Sequence, residues 1–254
     1  VFDTTFYKTG KNENIKRSEI GQVLNFNFDD VGVQLEEENV FIDFRKDVLM
    51  KKPDLIAVSM VEDTFNLGIN LLNVVNDLNI PNIIGGVFPT FAPEIIISED
   101  CVEIVCTGEG EKVLLDVCNA IEKGEGLSNV GNIWYKDNNE IKKNPPGMLI
   151  NLDDLPIPDY DIWPEKMLYR PMQGKIRLTV GVETQRGCPY SCRFCNSPEK
   201  NEFYKAQDAG HFFRKRTMKN LHKEMKYLIS EFKIEYIFFI TDTFLAMSEK
   251  EFDE

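Results

Sequence analysis

The stretch "KIRLTVGVETQRGCPYSCRFC", residues 175–195, joins two patterns that decide the fold of the chain around it. Residues 175–185 are rich in β-branched residues and predict a strand that runs directly into the cysteine loop. Directly after it, three of the chain's six cysteines fall within eight positions, as Cys188-x3-Cys192-x2-Cys195. This clustering indicates a metal site in a reducing compartment rather than a disulfide scaffold, so we expect a cytoplasmic protein.

The residues after the cysteine loop continue an α/β pattern. Residues 217–232 predict a helix with Thr217 as its N-cap, and its apolar residues share one face. The run "IEYIFFIT" (234–241) predicts a buried strand that ends at Asp242. The order strand, cysteine loop, helix, strand predicts the start of a β/α (partial TIM) barrel over residues 174–254.

The residues before the loop predict a separate doubly wound α/β domain over 1–143. Short apolar runs at 54–60, 82–86 and 102–108 alternate with helical periodicity, which predicts a parallel sheet with right-handed crossovers. A further strand is predicted at 1–7 and a hairpin at 131–144, turning at Asp137-Asn138-Asn139. Residues 144–173 are rich in proline near their start and predict an interdomain linker.

Composition restricts the classes of partner. The formal net charge of −13 argues against non-specific binding to nucleic-acid backbones. No apolar run approaches the roughly 18 residues of a membrane span, so we expect no membrane partner. One patch is locally basic, and it predicts either the solvated face of a helix or a site for an anionic ligand: Arg214, Lys215, Arg216, Lys219, Lys223 and Lys226.

The number of clustered thiols restricts the kind of metal site that the loop can form, because three cysteines leave one coordination position open. Thiolates select iron–sulfur clusters, zinc or copper(I), and a structural zinc site takes a fourth protein ligand. We expect His211 and His222 at the surface, and the other cysteines (101, 106 and 118) in or near the core. A [4Fe–4S] cluster held by three cysteines keeps one iron free for a substrate or cofactor. The alternatives are thiols that cluster by chance and an atypical zinc loop.

With this spacing, the aromatic Phe194 before the last cysteine and the preceding strand, the loop resembles that of the radical S-adenosylmethionine (radical SAM) superfamily. The resemblance implies that Cys188, Cys192 and Cys195 hold a [4Fe–4S] cluster. Its free iron would chelate SAM, which is cleaved to methionine and a 5′-deoxyadenosyl radical. Phe194 would pack near the adenine. "ITDTF" (240–244) resembles a variant in the cobalamin-containing branch, which implies that Asp242 contacts SAM.

Glycine pairs mark the first domain. "IIGGVFPTFAPE" (83–94) and "CTGEGE" (106–111) follow two neighbouring strands, where glycine lets backbone approach a ligand in the crevice of a doubly wound sheet. With "SMV" (59–61) and "LPIPDYD" (155–161), these motifs resemble the cobalamin (B12)-binding domain of B12-dependent radical SAM enzymes, a flavodoxin-like fold. The resemblance implies a set of cobalamin contacts: Ser59, Gly85, Gly86, Gly108 and Glu109.

The chain departs from that pattern at its start. The first strand of the cobalamin fold, its loop with the cobalt-ligating histidine motif and its first helix have no counterpart before Val1. The chain begins without Met and stops at Glu254, shortly after a capping box formed by Ser248 and Glu251. We interpret it as a fragment with an incomplete first domain, and expect it to be poorly stable alone; a cooperative thermal melt would contradict this.

The resemblance implies a cobalamin-dependent radical SAM enzyme that methylates an unactivated carbon or performs a radical cyclisation or rearrangement. Its partners would be a small-molecule or natural-product substrate and an external flavodoxin- or ferredoxin-type electron donor. The alternatives are a methylthiotransferase-like radical SAM enzyme and a non-catalytic sensor that binds cobalamin or a cluster. The sequence decides neither the substrate nor the oligomeric state.

Overall fold

The structure, a computed structural model, describes residues 1–7, 17, 19–22, 24–34, 36–138 and 140–253. The chain divides into two compact units. One unit is Asn39–Met148, and the other combines Val1–Glu38 with Leu149–Glu254. The sequence analysis instead placed residues 1–143 in one domain and a linker at 144–173.

The unit Asn39–Met148 contains a five-stranded sheet in the order β1-β2-β3-β4-β5. The first three strands are parallel to one another and the last two extend the sheet as an antiparallel hairpin. The strands are β1 (Ile56–Ser59), β2 (Asn82–Gly85), β3 (Ile104–Cys106), β4 (Ile133–Asp137) and β5 (Glu140–Lys143). The helices are α1 (Val40–Lys51), α2 (Phe65–Asn73), α3 (Val87–Phe91), α4 (Pro93–Ile97) and α5 (Glu111–Lys123). The predicted hairpin turn includes Asn139, which lies outside the described residues.

The core of this unit lies between the sheet and α5. Val113 and Val117, one helical turn apart on α5, are buried in one cluster with apolar residues of the three central strands, namely Ile83, Ile104, Cys106 and Ile133. Cys101 is buried as well, but Cys118 is exposed. The prediction that Cys118 lies near the core was therefore wrong, because it follows Val117 directly and leaves the buried face of α5.

The second unit begins its regular structure in the segment predicted as linker. Its three-stranded sheet has the order β10-β7-β6, with β10 parallel and β6 antiparallel to β7. A short antiparallel pair, β8 and β9, follows β7. The strands are β6 (Tyr169–Met172), β7 (Lys175–Glu183), β8 (Gln185–Arg186), β9 (Arg214–Lys215) and β10 (Tyr236–Ile240). The helices are α6 (Ser197–Lys205), α7 (Met218–Phe232) and α8 (Glu249–Asp253).

None of the helices in the described part of the chain has both the length and the apolarity needed to cross a membrane.

Helix α7 begins after the predicted N-cap, Thr217, and the residues at this start also bond to Asp153, which the sequence did not predict. The Thr217 hydroxyl accepts a hydrogen bond from the Asn220 N–H at 3.3 Å, as expected of an N-cap. In addition, the Thr217 N–H donates to Asp153 Oδ1 at 2.9 Å, and the Asn220 side chain donates to the Asp153 carbonyl. Leu221 and Leu228 of α7 are buried against β7. The segment that contains Asp153 is thus fixed to the start of α7.

Residues 1–7 form no strand, so that prediction was wrong. Tyr7 makes an isolated parallel bridge to Glu36, and Phe6 is buried in a cluster with Val33 and Met167 of the same unit. Lys166 adds an ion pair to Glu36 at 2.5 Å. A strand needs a neighbour that pairs with successive backbone groups, and the described residues supply a pairing partner at Tyr7 alone.

Candidate metal and cofactor site

The cysteine loop starts at a left-handed glycine at the carboxyl end of β7 and β8. Gly187 has φ +82°, and a Cβ placed there would lie 2.8 Å from Phe212 Cδ1 and 2.9 Å from the Phe212 carbonyl oxygen. Only glycine satisfies both the backbone conformation and the close approach. The turn into Cys188 therefore depends on Gly187.

The three thiols of the loop are free and accessible to different degrees. Cys188 is half-buried, whereas Cys192 and Cys195 are exposed. The Cys195 N–H donates to the Cys192 carbonyl at 3.2 Å, which closes a turn between these two residues. The Ser197 N–H donates to Cys195 Sγ at 3.5 Å. This bond lowers the pKa of the Cys195 thiol, because it stabilises the thiolate.

The donor set of the loop fits an iron–sulfur cluster in its chemistry. All three thiols are free, and the thiolate is the form that binds metal. Within the ranges that the structure describes, no three His, Cys, Asp or Glu side chains converge in a way that could hold a metal ion. The structure thus places the three cysteines on one loop without drawing their sulfur atoms into a preformed cage.

Phe194 and Asp242 lie at the same end of the unit. The Phe194 side chain is 94% exposed, so its ring has no packing partner that buries it. Asp242 follows the carboxyl end of β10 and is exposed. Its charge acts on Cys195 and opposes the lowering of that thiol's pKa. Asp242 is therefore within electrostatic range of the cysteine loop.

Gln185 is a buried polar residue at the entry of the loop that the sequence analysis did not identify. Its side chain is 5% exposed, and its amide donates to the carbonyl of Thr243, next to Asp242. One residue earlier, the Thr184 N–H donates to the Ile240 carbonyl at 3.2 Å. These bonds connect the entry of the cysteine loop to the carboxyl end of β10.

A buried ion pair supports the same end of β7. Arg216 Nη2 lies 2.5 Å from Glu224 Oε2, with 10% and 2% of the two side chains exposed. Arg216 also donates to the Glu183 carbonyl at 2.9 Å, at the end of β7. Glu224 Oε2 accepts no well-aligned hydrogen bond, so the charge of Arg216 is its main compensation. The signal in the sequence was an acidic residue on the apolar face of helix 217–232.

The basic patch divides into two parts. In the first part, Arg214 donates hydrogen bonds to the carbonyls of Phe212 and Ile150. Lys215 forms an ion pair with Glu251 at 2.8 Å, and Arg216 forms one with Glu224. The exposed remainder lies on α7: Lys219, Lys223 and Lys226. For this second part, the structure agrees with the solvated face of a helix. His211 and His222 are exposed, as predicted.

A pocket of about 280 Å³ opens beside the cysteine loop. It is lined by Pro189 and Tyr190 of that loop, by Lys215, by residues 245–248 and by Glu251.

Lys215 and hydrogen bonds from Ser248 lower the pKa of the Glu251 carboxyl to about 2. The predicted capping box is confirmed, because Ser248 and Glu251 each donate a backbone N–H to the other's side chain.

In the unit Asn39–Met148, the predicted cofactor contacts lie at the carboxyl ends of the three parallel strands. Ser59 ends β1 and pairs in register with Gly85, which ends β2. Gly86 has φ +120°, and a Cβ there would lie 2.4 Å from the Met60 carbonyl oxygen. Gly108, with φ +93°, and Glu109 follow β3 and precede α5. The structure therefore places the whole predicted set along one edge of the sheet.

No family model matches the chain, but curated proteins do. An uncharacterized methyltransferase of Pyrococcus horikoshii is 28% identical over 223 residues, or 86% of this chain and 46% of that protein. The 4′-phospho-dehydrooxetanocin synthase of Priestia megaterium is 30% identical over 163 residues, 61% and 21% of the respective chains. The anaerobic magnesium-protoporphyrin IX monomethyl ester cyclase of Rubrivivax gelatinosus is 24% identical over 83% of this chain and 37% of the cyclase. The chain spans less than half the length of each relative.

Two solved enzymes share the fold. OxsB, a cobalamin-dependent radical SAM enzyme solved with aqua-cobalamin and SAM bound, superposes with a TM-score of 0.64 at 23% identity, over 83% of this chain and 28% of OxsB. TsrM of Kitasatospora setae, a radical SAM methyltransferase, gives 0.59 at 16% identity over 84% of this chain and 43% of TsrM. TsrM has also been solved with cobalamin and a [4Fe–4S] cluster.

These matches confirm the predicted fold class, a Rossmann-like domain of the kind found in B12-binding radical SAM enzymes, followed by the start of a barrel. In its fold, the chain is therefore similar to these radical SAM enzymes, as the sequence motifs predicted.

Proposed function

We propose that the chain is part of a cobalamin-dependent radical SAM enzyme in which Cys188, Cys192 and Cys195 bind a [4Fe–4S] cluster. One observation carries the proposal: three free thiols share the loop at the carboxyl end of β7, in a fold similar to that of OxsB and TsrM. When bound, the cluster supplies the electron that cleaves SAM reductively.

The residues of the loop would prepare it for that cluster. The Ser197 N–H favours the thiolate of Cys195, which is the form that binds iron. Asp242, at the end of β10, would bind the positively charged amino group of SAM. The exposed ring of Phe194 would pack against the adenine. These two assignments rest on the motif resemblance and on the position of both residues near the loop.

In the other unit, we assign the predicted edge of the sheet to cobalamin. Ser59, Gly85, Gly86, Gly108 and Glu109 would line its binding crevice. The lack of Cβ atoms at the glycines lets the backbone approach a large ligand closely. Cobalamin would carry the methyl group in a methyl transfer.

The relatives support two outcomes of the reaction. The Pyrococcus relative is named a methyltransferase and the Rubrivivax relative a cyclase. We therefore propose methylation of an unactivated carbon, or a radical cyclisation or rearrangement, of a small-molecule substrate in the cytoplasm. An external flavodoxin- or ferredoxin-type protein would donate the electron. The burial of Cys101 and Cys106 in and beside β3 argues against a second cluster of the methylthiotransferase type.

Anaerobic reconstitution with iron and sulfide, followed by assay of SAM cleavage, tests the proposal. We expect the wild-type chain to bind a cluster and Cys192→Ala to lose both bound iron and 5′-deoxyadenosine formation. Cys118→Ala is the matched control, since Cys118 is exposed on α5, outside the loop. Retained SAM cleavage by Cys192→Ala would contradict the cluster assignment. A wild-type protein with a full cluster and no cleavage would favour the sensor.

A further inference from the structure

The hydroxyl of Thr90 joins the two glycine loops at the edge of the parallel sheet. It donates a hydrogen bond to the Gly86 carbonyl at 2.8 Å. It also accepts one from the Gly108 N–H at 2.9 Å. Thr90 lies in α3, the one-turn helix that begins directly after Gly86, and it is half-buried. One side chain thus connects the loop after β2 to the loop after β3.

On its other side, the loop after β2 contacts the residues after β1 through its backbone and through the ring of Phe88, which packs against Phe65. The Met60 N–H donates to the Gly85 carbonyl at 3.0 Å, which extends the pairing of β1 and β2. Gly86 also lies so close to Met60 that a Cβ at position 86 would be only 2.4 Å from the Met60 carbonyl oxygen. At Gly86 itself, the contact with the end of β1 is made by backbone atoms.

The loop after β3 is hydrogen-bonded to the residue that precedes β4, the strand on the other side of β3 from β2. The Thr107 N–H donates to the Asn132 carbonyl at 2.8 Å, and the Thr107 hydroxyl donates to the same oxygen. Both bonds tie the residue before Gly108 to the start of β4. Thr90 supplies the bond in the other direction, from Gly108 to Gly86. Beyond the ends of the paired strands β2 and β3, the Thr90 hydroxyl thus links the two loops directly.

We propose that Thr90 is a positioning residue that sets the spacing of the Gly86 and Gly108 loops, so that both present their backbone to one bound corrinoid. The inference rests on the proposed function, because that function supplies the ligand. A hydroxyl is the required group, since it donates and accepts at once. Serine keeps both bonds. Valine keeps the size and shape of threonine but can neither donate to Gly86 nor accept from Gly108.

The test compares Thr90→Val with Thr90→Ser in the full chain, titrated with aqua-cobalamin and measured by the visible absorption of the bound fraction. We expect Thr90→Val to raise the dissociation constant for aqua-cobalamin about tenfold, which corresponds to the net contribution of about one hydrogen bond. Thr90→Ser should stay within about threefold. Urea unfolding of each variant identifies a general loss of the fold. If Thr90→Val does not fold, Thr90→Ala replaces it, because alanine removes the same two bonds without a branched side chain.

Three results would overturn the inference, and they are distinguishable. Wild-type affinity in Thr90→Val, with aqua-cobalamin bound by the wild type, removes the positioning role and leaves the proposed function intact. Equal weakening by serine and valine shows that the hydroxyl is not responsible. Absence of aqua-cobalamin binding by the wild-type chain removes the cobalamin part of the proposed function and the inference with it. Hydrogen exchange at the Gly108 amide, faster in the valine variant alone, supports the inference directly.

Discussion

The buried side-chain amide of Gln185 donates a hydrogen bond to the backbone carbonyl of Thr243, 58 positions further along the chain. Gln185 precedes the cysteine loop, and Thr243 follows Asp242. The bond therefore fixes two parts of the proposed site to each other through a residue that has no reactive group of its own.

Replacing Gln185 by glutamate should destabilise the second unit. Glutamate has the same shape but no amide donor, and it would place a carboxylate against the Thr243 carbonyl. We expect the free energy of unfolding in urea to fall by about 1–3 kcal/mol, and less iron to be retained after reconstitution. Gln207→Glu, on the exposed turn after α6, is the control and should change stability by less than about 0.5 kcal/mol. Equal effects of the two substitutions would refute the role of Gln185.

Gly86→Ala should be more damaging than Gly124→Ala. Both glycines have positive φ, at +120° and +65°, but a Cβ at Gly124 meets no atom within 4 Å, whereas one at Gly86 meets the Met60 carbonyl. Strain alone should cost about 1–2 kcal/mol at Gly124, and overpacking should raise the cost at Gly86 to about 3 kcal/mol or more. Urea unfolding measures both. Similar losses would mean that the Met60 contact relaxes freely.

The Arg216–Glu224 pair should behave as a unit. Removing one partner leaves a buried charge, so Arg216→Met alone should cost about 3–5 kcal/mol. The double variant Arg216→Met, Glu224→Leu should cost less than that single variant, because it leaves no charge buried at this site. A double-mutant cycle in urea measures the coupling. Losses that simply add would show that the two side chains contribute independently.

Cys106 should resist alkylation in the folded protein. Burial raises the pKa of its thiol to about 12, so almost none is thiolate at about pH 8, where thiolate is the reactive form. We expect iodoacetamide, followed by peptide mass mapping, to modify exposed Cys118 readily and Cys106 only after unfolding. The raised pKa favours the protonated thiol, so reactivity should increase only as the pH approaches 12. Rapid labelling of Cys106 at neutral pH would contradict its burial.

Features set by nearby residues were predictable from the sequence. The apolar runs at 54–60, 82–86 and 102–108 contain β1, β2 and β3. Strands β2 and β3 are buried, as continuous apolar sequence predicts, whereas β1 lies at the end of the sheet order and only Ile56 of it is buried. The Thr217 cap and the Ser248–Glu251 capping box involve residues within three positions of each other. The glycines at the carboxyl ends of the strands were identifiable because glycine itself indicates a place where the backbone turns sharply or approaches another group closely.

Features that depend on distant partners were not predictable in the same way. Residues 1–7 have the composition of a strand, but only a neighbour decides whether a strand forms. The roles of Gln185 and Thr90 arise from contacts with backbone atoms 58 and 18 positions away, and a backbone carbonyl or amide leaves no trace in a sequence. The burial of Glu224 was inferable in principle, since a charged residue on an apolar helix face requires a partner.

The hydrogen bond from the N–H of Thr217, the N-cap of α7, to Asp153 has a practical consequence for the design of shorter versions of the protein. A coding sequence that starts at β7 would delete Asp153 and leave the Thr217 N–H without its carboxylate acceptor. One that starts at Leu149 keeps this acceptor, and it keeps the Leu149 N–H that donates to the Ala209 carbonyl. A protease should accordingly spare the segment from 149 to 155 for as long as α7 stays folded.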